Sequence, residues 1–298
     1  MAVNNTLTNK GQQRLGFTAY LTSEGVKAQI QKVVGKNSDR FISSIVSAVN
    51  TNPTLQECTS QSILAGALLG EALKLSPSPI LGNYYLVPFN DNKRGQKVAQ
   101  FQMGYKGYIQ LAIRSGMYKK LNVLSIKEGE LLNFDPLNEE IEVNLIDDEE
   151  EREKAPTVGY YAMFEYTNGF RKAIYWSKAK MEAHALKYSQ GYKAKKGYTF
   201  WEKDFDAMAY KTMLRHLISR WGIMSIDMQT AIDSDMAVIN PDGTKEYIDN
   251  APDIVETVEA QPIAEEAAEE TPAPAAEQTQ EEETSDAAAA LFGKGVEK

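Results

Sequence analysis

The chain has 298 residues, of which 43% are hydrophobic and 24% charged, a composition typical of a globular protein. No apolar run approaches the roughly 20 residues of a membrane-spanning helix, and the first residues lack the apolar stretch of a secretory signal peptide. The single cysteine, Cys58, excludes an intramolecular disulfide. These features predict a cytoplasmic protein without a membrane partner.

The formal net charge of −9 is divided unevenly along the chain. Residues 251–298 carry a net charge of −11, and residues 128–153 contain 12 acidic side chains with Arg152 as their one base. The remaining residues have a net charge of +13. A basic body with separate acidic segments favours a protein that binds nucleic acid.

The N-terminal part of the sequence predicts helices followed by a hairpin. Residues 1–22 are polar and are interpreted as a flexible arm or as a contact between subunits. Apolar residues at helical spacing predict a helix within 23–50, and Thr59 is expected to cap a second helix that ends before Ser76. The next predicted elements are hairpin strands at 83–90 and 97–103, a helix at 105–115 that ends at Gly116, and a strand at 117–126.

A second hairpin is predicted around Asn168-Gly169, the preferred dipeptide of a two-residue type I′ turn. Such a turn places Arg171 opposite Tyr166 and Lys172 opposite Glu165. Because Lys172 then has a carboxylate partner, Arg171 is the candidate for a DNA contact.

The rest of the sequence completes an α+β prediction, in which antiparallel β-hairpins pack against helices. We predict helices at 177–188, 201–221 and 227–238, and loops at 128–153 and 189–199. After Asn250 the composition changes to Ala, Glu, Pro and Thr, which predicts disorder. The expected organisation is a flexible arm at 1–22, a folded domain at 23–250, and a disordered acidic tail at 251–298.

The strand and helix at 100–120 give the first candidate surface for nucleic acid. Lys106, Gln110 and Arg114 recur every four residues and share one face of the predicted helix. Cations neutralise phosphates, glutamines form hydrogen bonds, and an aromatic ring can stack on a base. The alternative is an ordinary amphipathic helix with a solvated basic face. The candidate contacts are Gln100, Gln102, Tyr105, Lys106, Arg114, Lys119 and Lys120.

Three further basic segments are candidates. The loop at 189–199 carries Lys193, Lys195 and Lys196 among tyrosines and glycines, a pattern that suits single strands, although a solvated loop is the alternative. In the next helix Lys211 and Arg215 share a face near Asp204, which predicts either phosphate contacts or a structural ion-pair network. The first hairpin carries Lys93 and Arg94 at its tip, where they either reach the bases or form a solvated turn.

Several catalytic classes lack support. The sequence contains no P-loop and no GxGxxG motif, and Cys58, His184 and His216 are not at metal-ligand spacing. Hence we predict no catalytic residue, no cofactor and no metal site, and Mg²⁺ dependence stays open. The rival functions are a nuclease that uses Asp227, Asp233 and Asp235, and a basic adaptor that binds an acidic protein.

Three segments resemble the RecT family of phage single-strand annealing proteins. They are LGNYYLVPF at 81–89, QFQMGYKGYIQLAIRSGMY at 100–118 and WEKDFDAMAYKTMLRHL at 201–217, and the hairpin within 158–176 also fits. The likeness extends from about Ser23 to Asp235 and does not reach the tail.

The resemblance implies ATP-independent annealing by a protein that is not an enzyme and that works beside a phage exonuclease. It implies assembly on DNA as rings or helical filaments, so that 23–250 would bind DNA, anneal it and oligomerise. The bound strand would lie in a basic groove, and the resemblance favours DNA contacts by Tyr105, Lys106, Arg114, Lys211 and Arg215. The acidic tail would contact the exonuclease or the host single-strand-binding protein.

Overall fold

Four helices open the described part of the chain, which covers residues 16–92 and 94–247 of this computed structural model. Phe41, Ile45 and Val49 are buried at intervals of four residues, which confirms the predicted apolar stripe. Leu21 is fully buried too, so the described end of the predicted arm packs on the folded body. The helices are α1 (Phe17–Thr22), α2 (Glu24–Val34), α3 (Ser38–Asn50) and α4 (Ser60–Ala72), with 3-10 turns at Gly35–Asn37 and Leu55–Glu57.

A four-stranded antiparallel sheet follows, in the order β1-β2-β8-β9. Tyr84 pairs with Met103 and Asp91 with Gln96, as expected for the first predicted hairpin. The inward residues Ala99, Phe101 and Met103 share a hydrophobic core with the N-terminal helices. The strands are β1 (Tyr84–Asp91), β2 (Gln96–Met103), β8 (Ala237–Ile239) and β9 (Lys245–Glu246), and α5 (Tyr105–Ser115) follows β2.

A three-stranded antiparallel sheet, in the order β3-β6-β7, supports a second hydrophobic core. The longest helix, α10 (Phe205–Trp221), contributes to both cores. Leu214 and Ile218 belong to the first core, whereas Met213 and Leu217 belong to the second. The other elements here are β3 (Tyr118–Lys127), β6 (Thr157–Tyr166), β7 (Arg171–Ser177), α7 (Lys178–Tyr188), α8 (Gln190–Lys193), α9 (Phe200–Lys203) and α11 (Ile226–Ser234). The α+β prediction is therefore confirmed.

The acidic stretch at 128–153 is structured, so its assignment as a loop was wrong. It forms the hairpin β4 (Leu131–Asp135) and β5 (Glu140–Val143), followed by α6 (Glu149–Lys154). Glu130 is fully buried and accepts hydrogen bonds from Arg152 Nε at 2.6 Å and from the backbone N–H of Lys127 at 2.7 Å. The one basic residue of the block therefore anchors the segment to the body.

The register predicted for the second hairpin is wrong by one residue. Arg171 pairs with Glu165, and the turn spans three residues, with Gly169 at φ +88°. This is a type I turn closed by a left-handed residue, the alternative to the two-residue turn. Lys172 consequently lies away from Glu165 and forms an ion pair with Glu139.

The predicted helix at 227–238 ends earlier than expected. Helix α11 stops at Ser234, and Met236 has φ +66°, which breaks the helix before β8. No helix within the described residues is long and apolar enough to cross a membrane. The predicted tail at 251–298 and Lys93 lie outside the described residues.

Candidate nucleic-acid interface

Two glycines fix the position of Lys106 at the start of α5. A β-carbon on Gly104 would collide with the carbonyl oxygen of Gly82, and one on Gly107 would collide with that of Asn83. The close approach lets the backbone N–H of Gly104 donate to Asn83 O at 2.9 Å. The loop before β1 therefore packs directly on α5, and Lys106 stands exposed at this junction.

Four aromatic rings surround that junction, and we call them the aromatic platform: Tyr85, Tyr105, Phe200 and Tyr210. The ring centroids of Tyr85 and Phe200 are 5.4 Å apart, and those of Tyr105 and Tyr210 are 5.6 Å apart. The Lys106 ammonium lies 6.0 Å from the centroid of the Tyr105 ring. The platform thus joins β1 of the first hairpin and α5, which directly follows that hairpin, to α9 and α10, which lie far along the chain.

The platform offers both stacking area and neutral hydroxyls. Phe200 is 40% exposed, and Tyr85 and Tyr105 are partly exposed. Burial raises the pKa of Tyr85 above its ordinary value, and the neighbouring Tyr105 and Asp204 raise it further. A phenol is neutral at pH 7 even at its ordinary pKa of about 10, so the ring can face a phosphate chain without charge repulsion.

The lysine loop leads directly into this platform. Lys193, Lys195 and Lys196 are exposed, and Lys195 has φ +50°. The loop is closed by a capping box in which Thr199 and Glu202 bond each other's backbone. Phe200 follows that cap immediately. Within residues 16–92 and 94–247, no carboxylate lies at ion-pair distance from Lys106 or the three loop lysines.

The two tyrosines of the loop differ in their surroundings. Tyr198 is 65% exposed and precedes the cap. Tyr192 packs on Trp201 and Phe205, with ring centroids 6.2 Å from each. Tyr198 is therefore available to a ligand, whereas Tyr192, like Tyr210 of the platform, is partly buried against the second core.

Lys211 does not reach the surface. Its ammonium lies 2.8 Å from Asp235 Oδ1, and the two residues are 5% and 2% exposed. The same carboxylate accepts hydrogen bonds from the backbone N–H of Met103 at 2.9 Å and from Tyr108 Oη at 3.1 Å, and Arg215 Nε lies 3.8 Å from it. We call these five residues the Asp235 network. Of the two roles predicted for Lys211 and Arg215, phosphate contact or a structural ion-pair network, this arrangement corresponds to the second.

Asp204 was the wrong partner for those two cations. Its side chain accepts a hydrogen bond from the backbone N–H of Ala207 at 3.0 Å and caps α10. The actual partner, Asp235, lies 24 residues beyond Lys211, at the end of α11.

The two candidate glutamines are turned into the protein. Gln100 is fully buried, and its Nε2 donates to Met236 O at 2.6 Å. Gln102 Nε2 donates to Gln100 Oε1 at 2.7 Å. Gln100 therefore fastens β2 to the start of β8 rather than facing a groove.

The remaining candidate cations are engaged to different degrees. Arg114 Nη2 donates to Leu73 O at 2.7 Å and so closes the end of α4. Lys119 and Lys120 share Glu165, at 2.6 and 3.7 Å. Arg94 contacts Asp91 at 2.9 Å and Glu246 at 2.8 Å, which folds it back from the hairpin tip. Arg171 is exposed opposite Glu165.

The sequence profile of the RecT family matches residues 39–254, a range that contains every element of the aromatic platform. This chain belongs to the RecT family. It is 40% identical to the uncharacterized protein YqaK of Bacillus subtilis (strain 168) over 291 residues, which cover 94% of each chain. It is 27% identical to Protein RecT of Escherichia coli (strain K12) over 222 residues, which cover 73% of this chain and 79% of the relative.

Membership of the RecT family supports the predicted class of function, single-strand annealing in DNA recombination. It does so for the chain as a whole. Sequence reasoning named Tyr105 and Lys106 but missed Tyr85, Phe200 and Tyr210. Tyr85 and Tyr210 lie inside the RecT-like segments at 81–89 and 201–217, so aromatic residues within those segments were the available signal.

The carboxylates of the nuclease alternative do not converge in this RecT-family fold. Asp235 is buried and held by four neighbours, as described above. Across the described ranges, no group of three or more His, Cys, Asp or Glu side chains is placed to hold a metal ion.

Proposed function

We propose that this protein binds single-stranded DNA at the aromatic platform and anneals it to a complementary strand without ATP. One observation carries the proposal: an exposed lysine, Lys106, stands beside aromatic rings from β1, from α5 and from the α9–α10 segment, which is far from the other two in sequence. Sequence-independent binding of single strands combines cations for the phosphates with rings on which bases stack.

Within this proposal the phosphates contact Lys106, Lys193, Lys195 and Lys196, the exposed lysines around the platform. Each neutralised phosphate releases counterions, so affinity falls steeply with salt. The bases stack on the partly exposed rings, which have no hydrogen-bonding pattern that would select a sequence. Arg171, Lys119 and Lys120 form a separate basic area on the β3-β6-β7 sheet, where Glu165 reduces the charge.

The annealing step needs no nucleophile and no nucleotide hydrolysis. Base pairing between complementary strands supplies the free energy, at about 1.4 kcal/mol per stacked base-pair step. The protein's part is to remove secondary structure from each strand and to raise the local concentration of complementary segments. The bound species are then the single strand and the newly annealed duplex.

The wider assembly is also proposed from membership of the family. Several subunits would line one strand as a ring or a helical filament. An exonuclease that exposes single strands would supply the substrate, in a phage-infected bacterial cytoplasm. The tail at 251–298, with its charge of −11, is the segment suited to bind that exonuclease or a single-strand-binding protein.

The test mixes the protein with two complementary labelled oligonucleotides, added one after the other without ATP, and follows fluorescence quenching. We expect pairing to be faster than in the protein-free control, both strands to be recovered intact, and the acceleration to fall with added salt. Shortened strands would favour the nuclease, and an unchanged pairing rate would favour the basic adaptor.

A further inference from the structure

The loop between α4 and β1 exposes two large aliphatic side chains beside the aromatic platform. Ile80 is 89% exposed, the largest value among the large apolar residues of the described chain, and Leu81 is 51% exposed. Neither residue has a role in the site described so far. A water-exposed aliphatic pair forfeits the free energy of apolar burial unless a ligand covers it.

The backbone of this loop is firmly held. Pro79 occupies the second position of a turn in which the backbone N–H of Leu81 donates to Ser78 O at 3.1 Å. Gly82, with φ +62°, is buried directly after it. The contact of Asn83 with the backbone of Gly104 then fixes the far end. Ile80 and Leu81 therefore stand at a defined position.

That position adjoins the cation of the platform. A β-carbon on Gly82 would lie 3.0 Å from Tyr85 Oη and 3.4 Å from Lys106 Cδ. Leu81 and Ile80 immediately precede this contact in the chain. The loop that exposes this apolar pair therefore packs beside the Lys106 side chain. A nucleic-acid strand carries both negative phosphates and flat apolar bases, so it is a ligand that suits a cation and an apolar surface on neighbouring segments.

We infer that Ile80 and Leu81 contact the nucleobases of the strand whose phosphates Lys106 binds, and that they separate neighbouring bases. The inference rests on the proposed function and specifies its base contact. Proteins that unstack bases commonly insert aliphatic side chains of this kind between them. By replacing base–base stacking with base–aliphatic contact, the pair opens intrastrand hairpins and leaves base-pairing edges free.

The test compares two oligonucleotides of equal length, oligothymidylate and a fully abasic strand, which have the same phosphates but differ in their bases. The wild-type protein should bind oligothymidylate more tightly. The double variant Ile80→Ser/Leu81→Ser should lose about fivefold in affinity for oligothymidylate and nothing for the abasic strand, as expected for lost apolar contact area. Lys106→Ala should weaken binding of both strands by the same factor.

A matched control removes equally exposed aliphatic side chains elsewhere. Leu132 and Leu137 on the β4–β5 hairpin are 66% and 88% exposed, and Leu132→Ser/Leu137→Ser should leave both affinities unchanged. Unfolding temperatures within a degree of wild type would show that each variant is folded.

The outcomes separate this inference from the proposed function. If the wild type binds neither oligonucleotide, the proposed function fails and the inference fails with it. The inference alone is overturned if the wild type binds the oligonucleotides and Lys106→Ala lowers both affinities, but Ile80→Ser/Leu81→Ser has the wild-type affinity for both oligonucleotides. It is also overturned if that variant dissociates into smaller species during sedimentation without DNA, since the pair would then join copies of the chain.

Discussion

Lys106 and Lys211 have the same charge and come from helices that pack on each other, yet their environments are opposite. Lys106 is exposed beside aromatic rings, and Lys211 is buried against Asp235. Both lie on basic stripes with a spacing of four residues. Helical spacing therefore identifies which residues share a face, and tertiary neighbours decide whether that face binds a ligand or supports the core.

The largest expected effect on stability comes from the buried pair of Lys211 and Asp235. Asp235→Ala leaves Lys211 buried without a carboxylate, so we expect the free energy of unfolding to fall by about 3–5 kcal/mol. Urea denaturation measures it. The double variant Lys211→Met/Asp235→Leu should recover part of the loss, because it removes both charges of the pair, while Met103 N–H, Tyr108 Oη and Arg215 still lose their contact with the carboxylate. A fall below about 1 kcal/mol for Asp235→Ala would mean that the ion pair does not support the fold.

A second buried carboxylate, Glu130, tests whether a buried ion pair also stabilises the fold in the acidic segment. Burial alone would raise the pKa of Glu130, but hydrogen bonds from Arg152 and from the backbone of Lys127 and Ile146 outweigh it and hold the pKa below its ordinary value. The ionised carboxylate therefore stabilises the fold above its unfolded-state pKa, and this contribution is lost as the pH falls through the lower, folded-state pKa.

We accordingly expect Glu130→Gln to lower the free energy of unfolding by about 1–3 kcal/mol at pH 7, with a smaller difference in acid. Thermal unfolding across pH 3–7 checks it. Glu153→Gln, at an exposed position on α6, is the control and should behave as wild type. If the stability difference between Glu130→Gln and wild type stayed constant down to pH 3, the lowered pKa of Glu130 would be contradicted.

On the exposed side, Lys106→Ala should leave stability unchanged and weaken DNA binding. We expect about tenfold lower affinity at low salt and a salt slope smaller by about 0.7, the contribution of one phosphate contact on a single strand. Fluorescence anisotropy at several salt concentrations measures both. Lys154→Ala, an exposed lysine on α6, is the matched control and should change neither.

The smallest expected effect on stability is that of replacing Asp204, the N-terminal cap of α10. Because it caps α10 and does not pair with Lys211, Asp204→Ala should cost about 1 kcal/mol of stability, and Asp204→Ser should cost less. DNA affinity should stay within a factor of two of wild type. If Asp204→Ala lowered the free energy of unfolding as much as Asp235→Ala does, Asp204 would after all be the counterion of Lys211 and Arg215.

Local signals predicted the first hairpin and the helix after it, since their turn and cap residues are adjacent in sequence. Gly116, for example, has φ +70° at the end of α5, as a C-terminal glycine should. The second hairpin was predicted, but its register was wrong because Asn168-Gly169 is compatible with two turn lengths. The chosen one stacks Phe170 on Tyr166, with ring planes 20° apart, and that packing preference has no local signature.

The exposure of candidate residues was predicted where it followed from the local pattern, and it was missed where distant strands cover them. Lys106 and the loop lysines are exposed, as their polar surroundings indicate. Gln100 alternates correctly along β2, but β8, more than 130 residues later, covers it. The platform itself required α9 and α10 to meet β1, and a single sequence has no measure of that contact.

Helix α10 has a consequence for how the molecule comes apart. Its buried residues alternate between the two hydrophobic cores. Unfolding of either sheet would therefore expose one apolar face of α10 to water. Cooperativity is thus built into one element, and calorimetry should give a single heat-absorption peak with matching calorimetric and van't Hoff enthalpies for the folded body.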